Sequence, residues 1–141
     1  MDTSISTILN NQLSEIPRLH GLLIEFGRTQ SISESALSSL NLALEEIFTN
    51  IISHGFQDTQ EHNILLRVML EDGELVAEVE DDGTPFNPLD VPAPDVTRPI
   101  EDRPIGGLGI HLTKKMVDGI DYSLRDGKNV LRLRKKLSES P

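Results

Sequence analysis

The chain has 141 residues and no cysteine, with 37% hydrophobic and 26% charged residues and a formal net charge of -10. That length suits one domain, in which roughly two thirds of the unfolded surface can be buried. The composition excludes disulfides and zinc-thiolate sites, and the acidic balance argues against direct nucleic-acid binding, which needs a basic surface.

No apolar run reaches the roughly 18 residues of a membrane span, and the N-terminal "MDTSISTILNNQLSE" has no basic segment leading into an apolar one. The expectation is a single cytoplasmic domain over residues 1–141 with no membrane contact. The charge is uneven. Eight of the 13 basic residues fall between Lys114 and Lys136. Such a cluster fits a solvated helix face and edge strand, or a surface for phosphates or an acidic partner.

In chain order, "TSISTILN" alternates weakly and reads as a first strand. "SEIPRLHGLLIEFGRTQ" places Leu19, Leu22, Leu23 and Phe26 at helical spacing, with Pro17 in the first turn and Gly27 as the expected stop. "SISESALSSLNLALEEIFTNIISHGF" is the strongest helix. Its stripe is Leu37, Leu40, Leu44, Ile47 and Ile51, and Ser33 is a candidate N-cap.

The period then changes to two. "HNILLRVMLEDGELVAEVEDDG" reads as two strands joined at Asp72-Gly73, a strong hairpin signal. Residues 84–104 hold six of the eight prolines and read as a long loop, neither regular helix nor central strand, of a length more often functional than accidental. "IGGLGIHLTKKMVDGID" predicts a glycine-led helix to about Asp118 with Gly119 as its C-cap. "YSLRDGKNVLRLRKKL" is a second Asp-Gly hairpin. This order predicts a two-layer α/β sandwich, a mixed and mostly antiparallel sheet covered on one face by helices.

Three constellations carry candidate chemistry. On the second helix, four residues turn through about 400°, so Glu46, Asn50 and His54 stand in one row beside the buried stripe. An acid followed one turn later by an amide suits a metal–phosphate site, with a neutral oxygen for Mg²⁺ and a carboxylate to accept a proton. A solvated helix edge is the plain alternative. In "LVAEVEDDGTPF" the alternation carries Asp81 onto the apolar face and Asp82 onto the wet face. An inward carboxylate needs a partner, such as a ligand's amino group, and Gly83 lets a flat ligand come close. An acidic turn is the alternative. Gly106, Gly107 and Gly109 lead into a helix, where free backbone N–H groups can hold an anion. They match neither the P-loop nor GxGxxG.

These stretches resemble the boxes of the GHKL ATP-binding fold: "EEIFTN" the N box, "DDG" the first glycine box and "GGLG" the second. Chain length, "NIISHGF", "DDGTPFNP" and "PIGGLGIHL" make the chain look like the bacterial anti-sigma factor serine kinases, over about residues 5–137. The resemblance implies ATP and Mg²⁺ as cofactors, Glu46 as general base and Asn50 as Mg²⁺ ligand. Asp81 would accept the adenine amino group, with Gly83 beside it. Gly107, Leu108 and Gly109, with Gly106, would face the phosphates, and His54 would close the N box. Asn129 stands where the family has a threonine that helps hold adenine. The implied reaction is phosphorylation of a serine or threonine on a STAS-domain anti-sigma antagonist. The implied partners are that antagonist, a sigma factor and a second copy of the chain. The alternative is a regulatory module of the same fold that binds ATP or a partner without transferring phosphate. A histidine-kinase module is disfavoured, because His20, His54, His62 and His111 are followed by Gly, Gly, Asn and Leu.

Overall fold

The computed structural model describes residues 4–54, 60–85, 87 and 113–137. The elements run β1 (Ser4–Asn10), a 3₁₀ turn (Leu13–Glu15), α1 (Ile16–Gln30), α2 (Glu34–His54), β2 (Asn63–Glu71), β3 (Glu74–Asp81), β4 (Gly119–Arg125) and β5 (Lys128–Lys136). The sheet order is β1-β2-β3-β5-β4, and every described pairing is antiparallel. The expected α/β architecture is therefore present, with a sheet more uniform than the mixed one anticipated. β3 lies at the centre, so the strand that carries the acidic pair is hydrogen-bonded on both sides.

Local chemistry explains the elements. Both hairpins turn at Asp-Gly pairs with positive φ at each residue, 48° and 78° at Asp72-Gly73 and 52° and 77° at Asp126-Gly127. That is the type I′ geometry, whose twist matches the flanking strands. Ser33 caps α2: its Oγ accepts the Ala36 N–H at 3.3 Å. At the start of α1, the Glu15 carboxylate accepts the Asn10 N–H at 2.9 Å and pairs with Arg18 at 3.0 Å, tying the end of β1 to the helix.

Two glycines have roles other than those expected. Gly27 does not stop α1. The helix continues to Gln30, and its C-cap is Ser31 in the left-handed region at φ 56°. Gly27 instead faces Leu37 of α2, where an added Cβ would lie 2.1 Å from the Leu37 Cδ1. Its missing side chain sets how closely the two helices approach. Gly119 does not cap a helix either. Residues 113–116 are helical, and Gly119 already begins β4. The Arg134 guanidinium covers its Cα, 2.1 Å from where a Cβ would sit.

The core forms between the helices and one sheet face. Leu19, Leu23, Phe26, Leu40, Leu44, Ile47 and Phe48 meet Leu9, Ile64, Leu66, Val68, Leu75, Ala77, Val79, Leu131 and Leu133. Each fully buried aliphatic side chain contributes about 1.5–3 kcal/mol relative to exposure. The predicted stripe of α2 is this core face, with Leu37 and Ile51 at its partly buried margin.

The opposite sheet face is a lattice of charges. Glu78 accepts from Arg67 at 3.0 Å and from Arg132 at 2.7 Å, and it lies 4.0 Å from Arg125. Arg132 also pairs with Glu71. Arg134 reaches Glu74 at 3.5 Å and Asp121 at 3.9 Å, and Lys128 reaches Glu80 at 3.7 Å. Arg125, Lys128, Arg132 and Arg134 of the basic 114–136 stretch are thus matched to carboxylates of the same sheet. The expected edge strand is in part an inner one, since β5 lies between β3 and β4.

Candidate functional site

The centre of the candidate site is the end of β3. Alternation along the strand carries Leu75, Ala77, Val79 and Asp81 to the helix-covered face. Asp81 is 6% exposed, whereas the side chain of Asp82 is 53% exposed and lies 3.2 Å from the His62 Nδ1. Asp81 thus faces inward and Asp82 outward, as strand parity predicts.

Asp81 has no cation partner among the described residues. Its neighbours are neutral donors, and both act on the same oxygen. The Gly83 N–H donates to Oδ1 at 2.8 Å, an Asx turn across Asp82. The Asn129 Nδ2 donates to Oδ1 at 3.1 Å. No described residue bonds Oδ2. Burial pushes the Asp81 carboxyl above its ordinary value, and the nearby Asp82 and Glu80 charges push the same way. The two hydrogen bonds oppose them and lose.

Asn129 is opposite Asp81 in the β3–β5 register and is 7% exposed. Besides Asp81, its Nδ2 is 3.3 Å from the Gly83 carbonyl and 3.2 Å from the Thr84 carbonyl. Its Oδ1 accepts from the Tyr122 hydroxyl. Four described protein groups thus surround the Asn129 amide, which braces the turn that follows Asp81.

Glu46 and Asn50 occupy adjacent turns of α2, both half-buried, in the row the helix period requires. The Asn50 Nδ2 is buried without a partner among the described residues. Glu45, one position away, lies 3.6 Å from the His20 Nε2 of α1, so the two adjacent glutamates are already differentiated. No described hydrogen bond or ion pair joins this helical pair to the Asp81 cluster. The His54 side chain, Gly106, Gly107, Leu108, Gly109 and most of the 84–104 segment lie outside the described residues.

Tyr122 and His62 join the cluster beyond the residues expected from the motifs. Tyr122 had a usable signal. The Asp126-Gly127 turn fixes the β4–β5 register, pairing Leu124 with Asn129 and Tyr122 with Leu131. Tyr122 and Asn129 are then diagonal neighbours on one face, within reach of an aromatic side chain. His62 had the same kind of signal, because the Asp72-Gly73 hairpin pairs Ile64 with Asp81 and its continuing register brings His62 beside Asp82.

β3 thus carries an inward carboxylate with no described cation partner, and α2 carries a half-buried acid–amide row. Residues 9–135 match the histidine kinase-like ATPase domain, and the chain belongs to that family. It is 30% identical over 95 residues to a serine/threonine-protein kinase, BtrW, of Bordetella bronchiseptica, covering 67% of each chain. It is 27% identical over 103 residues to a serine-protein kinase, RsbW, of Listeria monocytogenes. That match covers 70% of this chain and 66% of the Listeria protein, so the similarity spans about two thirds of these relatives. Among solved structures, the RsbU and RsbW domains of a Mycobacterium tuberculosis protein superpose with a TM-score of 0.69 at 18% identity, covering 97% of this chain and 33% of that one. The histidine kinase domain of a blue-light-activated kinase from Erythrobacter litoralis gives 0.57 at 15% identity, covering 90% and 61%. These two likenesses concern the fold.

Proposed function

We propose that this chain is a Mg-ATP-dependent protein kinase of the anti-sigma type. In this reading it phosphorylates a serine or threonine of a STAS-domain antagonist and sequesters a sigma factor. It works as a cytoplasmic homodimer of one domain, residues 1–141, with 84–104 as a lid. One observation carries the nucleotide part. Asp81 is buried, has no cation partner among the described residues, and has one oxygen bonded twice and the other not bonded by any described residue. Such a carboxylate is completed by a neutral N–H donor, and the adenine amino group is one. The kinase relatives support the transfer step.

Residue roles follow from the chemistry. Asp81 accepts the adenine amino group, with Gly83 beside the ring. The backbone N–H groups of Gly106, Gly107, Leu108 and Gly109 hold phosphate oxygens, helped by His54. Glu46 accepts the proton of the acceptor hydroxyl. The Oγ–Pγ bond forms, the bond from Pγ to the bridging oxygen breaks, and ADP leaves. Asn50 suits Mg²⁺: it is a neutral amide one turn from Glu46, and its buried Nδ2 has no hydrogen-bond partner among the described residues. Rotation of the amide exchanges its nitrogen and oxygen and would present the oxygen to a hard cation. No described cluster of three acidic, His or Cys groups could cage an ion, so Asn50 would share it with ATP oxygens. When bound, the ion offsets phosphate charge.

The test is to incubate the protein with labelled ATP, Mg²⁺ and a STAS-domain protein of the same genome. Label should appear on a serine or threonine. Glu46→Ala should cut the rate about 10²–10⁴-fold with ATP affinity nearly unchanged, and Glu45→Ala should leave the rate unchanged. Full activity in Glu46→Ala overturns the assignment of the base. ATP binding without label favours the non-catalytic module.

A further inference from the structure

We infer that Tyr122 is a positioning residue that commits Asp81 to ligands bearing an amino group, acting through the side chain of Asn129. The inference rests on the nucleotide reading above and deepens it. Three acceptors surround the Asn129 Nδ2: the Asp81 Oδ1, the Gly83 carbonyl and the Thr84 carbonyl. Only the nitrogen end of the amide can face them, which fixes its orientation chemically. The oxygen end then points to the Tyr122 hydroxyl, which donates to it.

This gives a directed chain of bonds. The phenol donates to the amide oxygen, and the amide nitrogen donates to the Asp81 Oδ1. With the Gly83 N–H on the same oxygen, Oδ1 is saturated. Oδ2 is the oxygen left to accept, so the group it selects must be a donor. An exocyclic amino group, as on adenine, satisfies it. A carbonyl at the same ring position, as on hypoxanthine or guanine, sets acceptor against acceptor. Binding sites reject such mismatches strongly, because a buried group is left unpaired.

Tyr122 has no need to touch the nucleotide to matter. Its hydroxyl holds the amide by the oxygen end and keeps both N–H groups on the turn. Without that hydroxyl, the amide oxygen loses its donor and the side chain can rotate about χ2. Asp81 then loses a donor on Oδ1, and the distinction between its two oxygens weakens.

The experiment compares two ligands in two proteins. ATP and purine riboside 5′-triphosphate, which lacks only the 6-amino group, are titrated calorimetrically into the wild type and into Tyr122→Phe. The substitution keeps the ring and removes the hydroxyl. One lost hydrogen bond predicts that ATP affinity falls about 3- to 10-fold, while affinity for the purine analogue stays within about twofold. Asn129→Ala should reduce discrimination in the same direction and by more. In an Asn129→Thr background, where the phenol has no amide to hold, Tyr122→Phe should have no further effect on discrimination. Equal loss for both ligands would reduce Tyr122 to a packing role and overturn the inference. Unchanged discrimination would do the same. A wild type that binds neither nucleotide would refute the ATP reading itself, and the inference with it.

Discussion

Glu78 and Asp81 lie three residues apart on β3 and face opposite sides of the sheet. Glu78 is on the open face, with two arginines on its carboxylate and a third at 4.0 Å. Asp81 is on the covered face, with two neutral donors on one oxygen and no described cation. The first carboxylate is neutralised by its own fold. The second is desolvated without being neutralised, and its pKa is raised as a result. A self-satisfied charge serves as scaffold, whereas a buried and half-satisfied one is where a ligand can supply what the protein withholds.

The largest expected effect comes from erasing the second carboxylate. Asp81→Asn should weaken ATP binding about 10- to 100-fold, the range of a charge-assisted hydrogen bond. Asp82→Asn should change it less than about twofold, because an exposed charge is well screened. If the two variants behave alike, strand parity does not define the site. Binding isotherms for both decide the matter.

The contrast also predicts a pH dependence with opposite signs for binding and stability. Asp81 has a folded pKa above its unfolded one, so within that window the folded state holds more protons. Stability therefore falls as pH rises from the ordinary aspartate range through the raised value. ATP affinity rises through the same window, since the ionised form is the better acceptor. Asp81→Asn removes both trends. Its melting temperature should equal or exceed that of the wild type at neutral pH, with the difference growing as pH rises through the window. A constant difference across that range would mean that burial of Asp81 carries no penalty.

The smallest effect should come from the open face. Glu78→Gln removes the shared partner of Arg67 and Arg132 and should destabilise by about 1–2 kcal/mol, more than an isolated exposed pair because several cations lose one anion. The loss should shrink in high salt, and ATP affinity should not change. Denaturant melts at two ionic strengths read the first outcome, and titration reads the second. A Glu78→Gln variant with impaired nucleotide binding would blur the division between scaffold and site.

Much of this was legible in the chain itself. Helical period put Glu46 and Asn50 in one row, strand parity separated Asp81 from Asp82, and two Asp-Gly pairs fixed both hairpins. These features depend on neighbours a few residues away, where backbone geometry is periodic. The expected role of Gly27 was wrong for the converse reason: it accommodates Leu37 of another helix, a contact that no local pattern records. Gly119 was misread because β4 already begins there, opposite Arg134 in the register that the Asp126-Gly127 turn sets.

The sequence by itself determined that Asp81 turns inward and that Asn129 follows a tight turn, because alternation and turn chemistry are local. Only the tertiary structure decided that the two are partners. The pairing of β3 with β5 sets them side by side across 48 residues of chain. The same pairing of strands matched Lys128, Arg132 and Arg134 of β5 to Glu80, Glu78 and Glu74 of β3 and so neutralised part of what looked like a free basic surface. Burial also belongs to the assembled sheet and helices. It alone turns an ordinary aspartate into one that is costly to ionise and open to a donor.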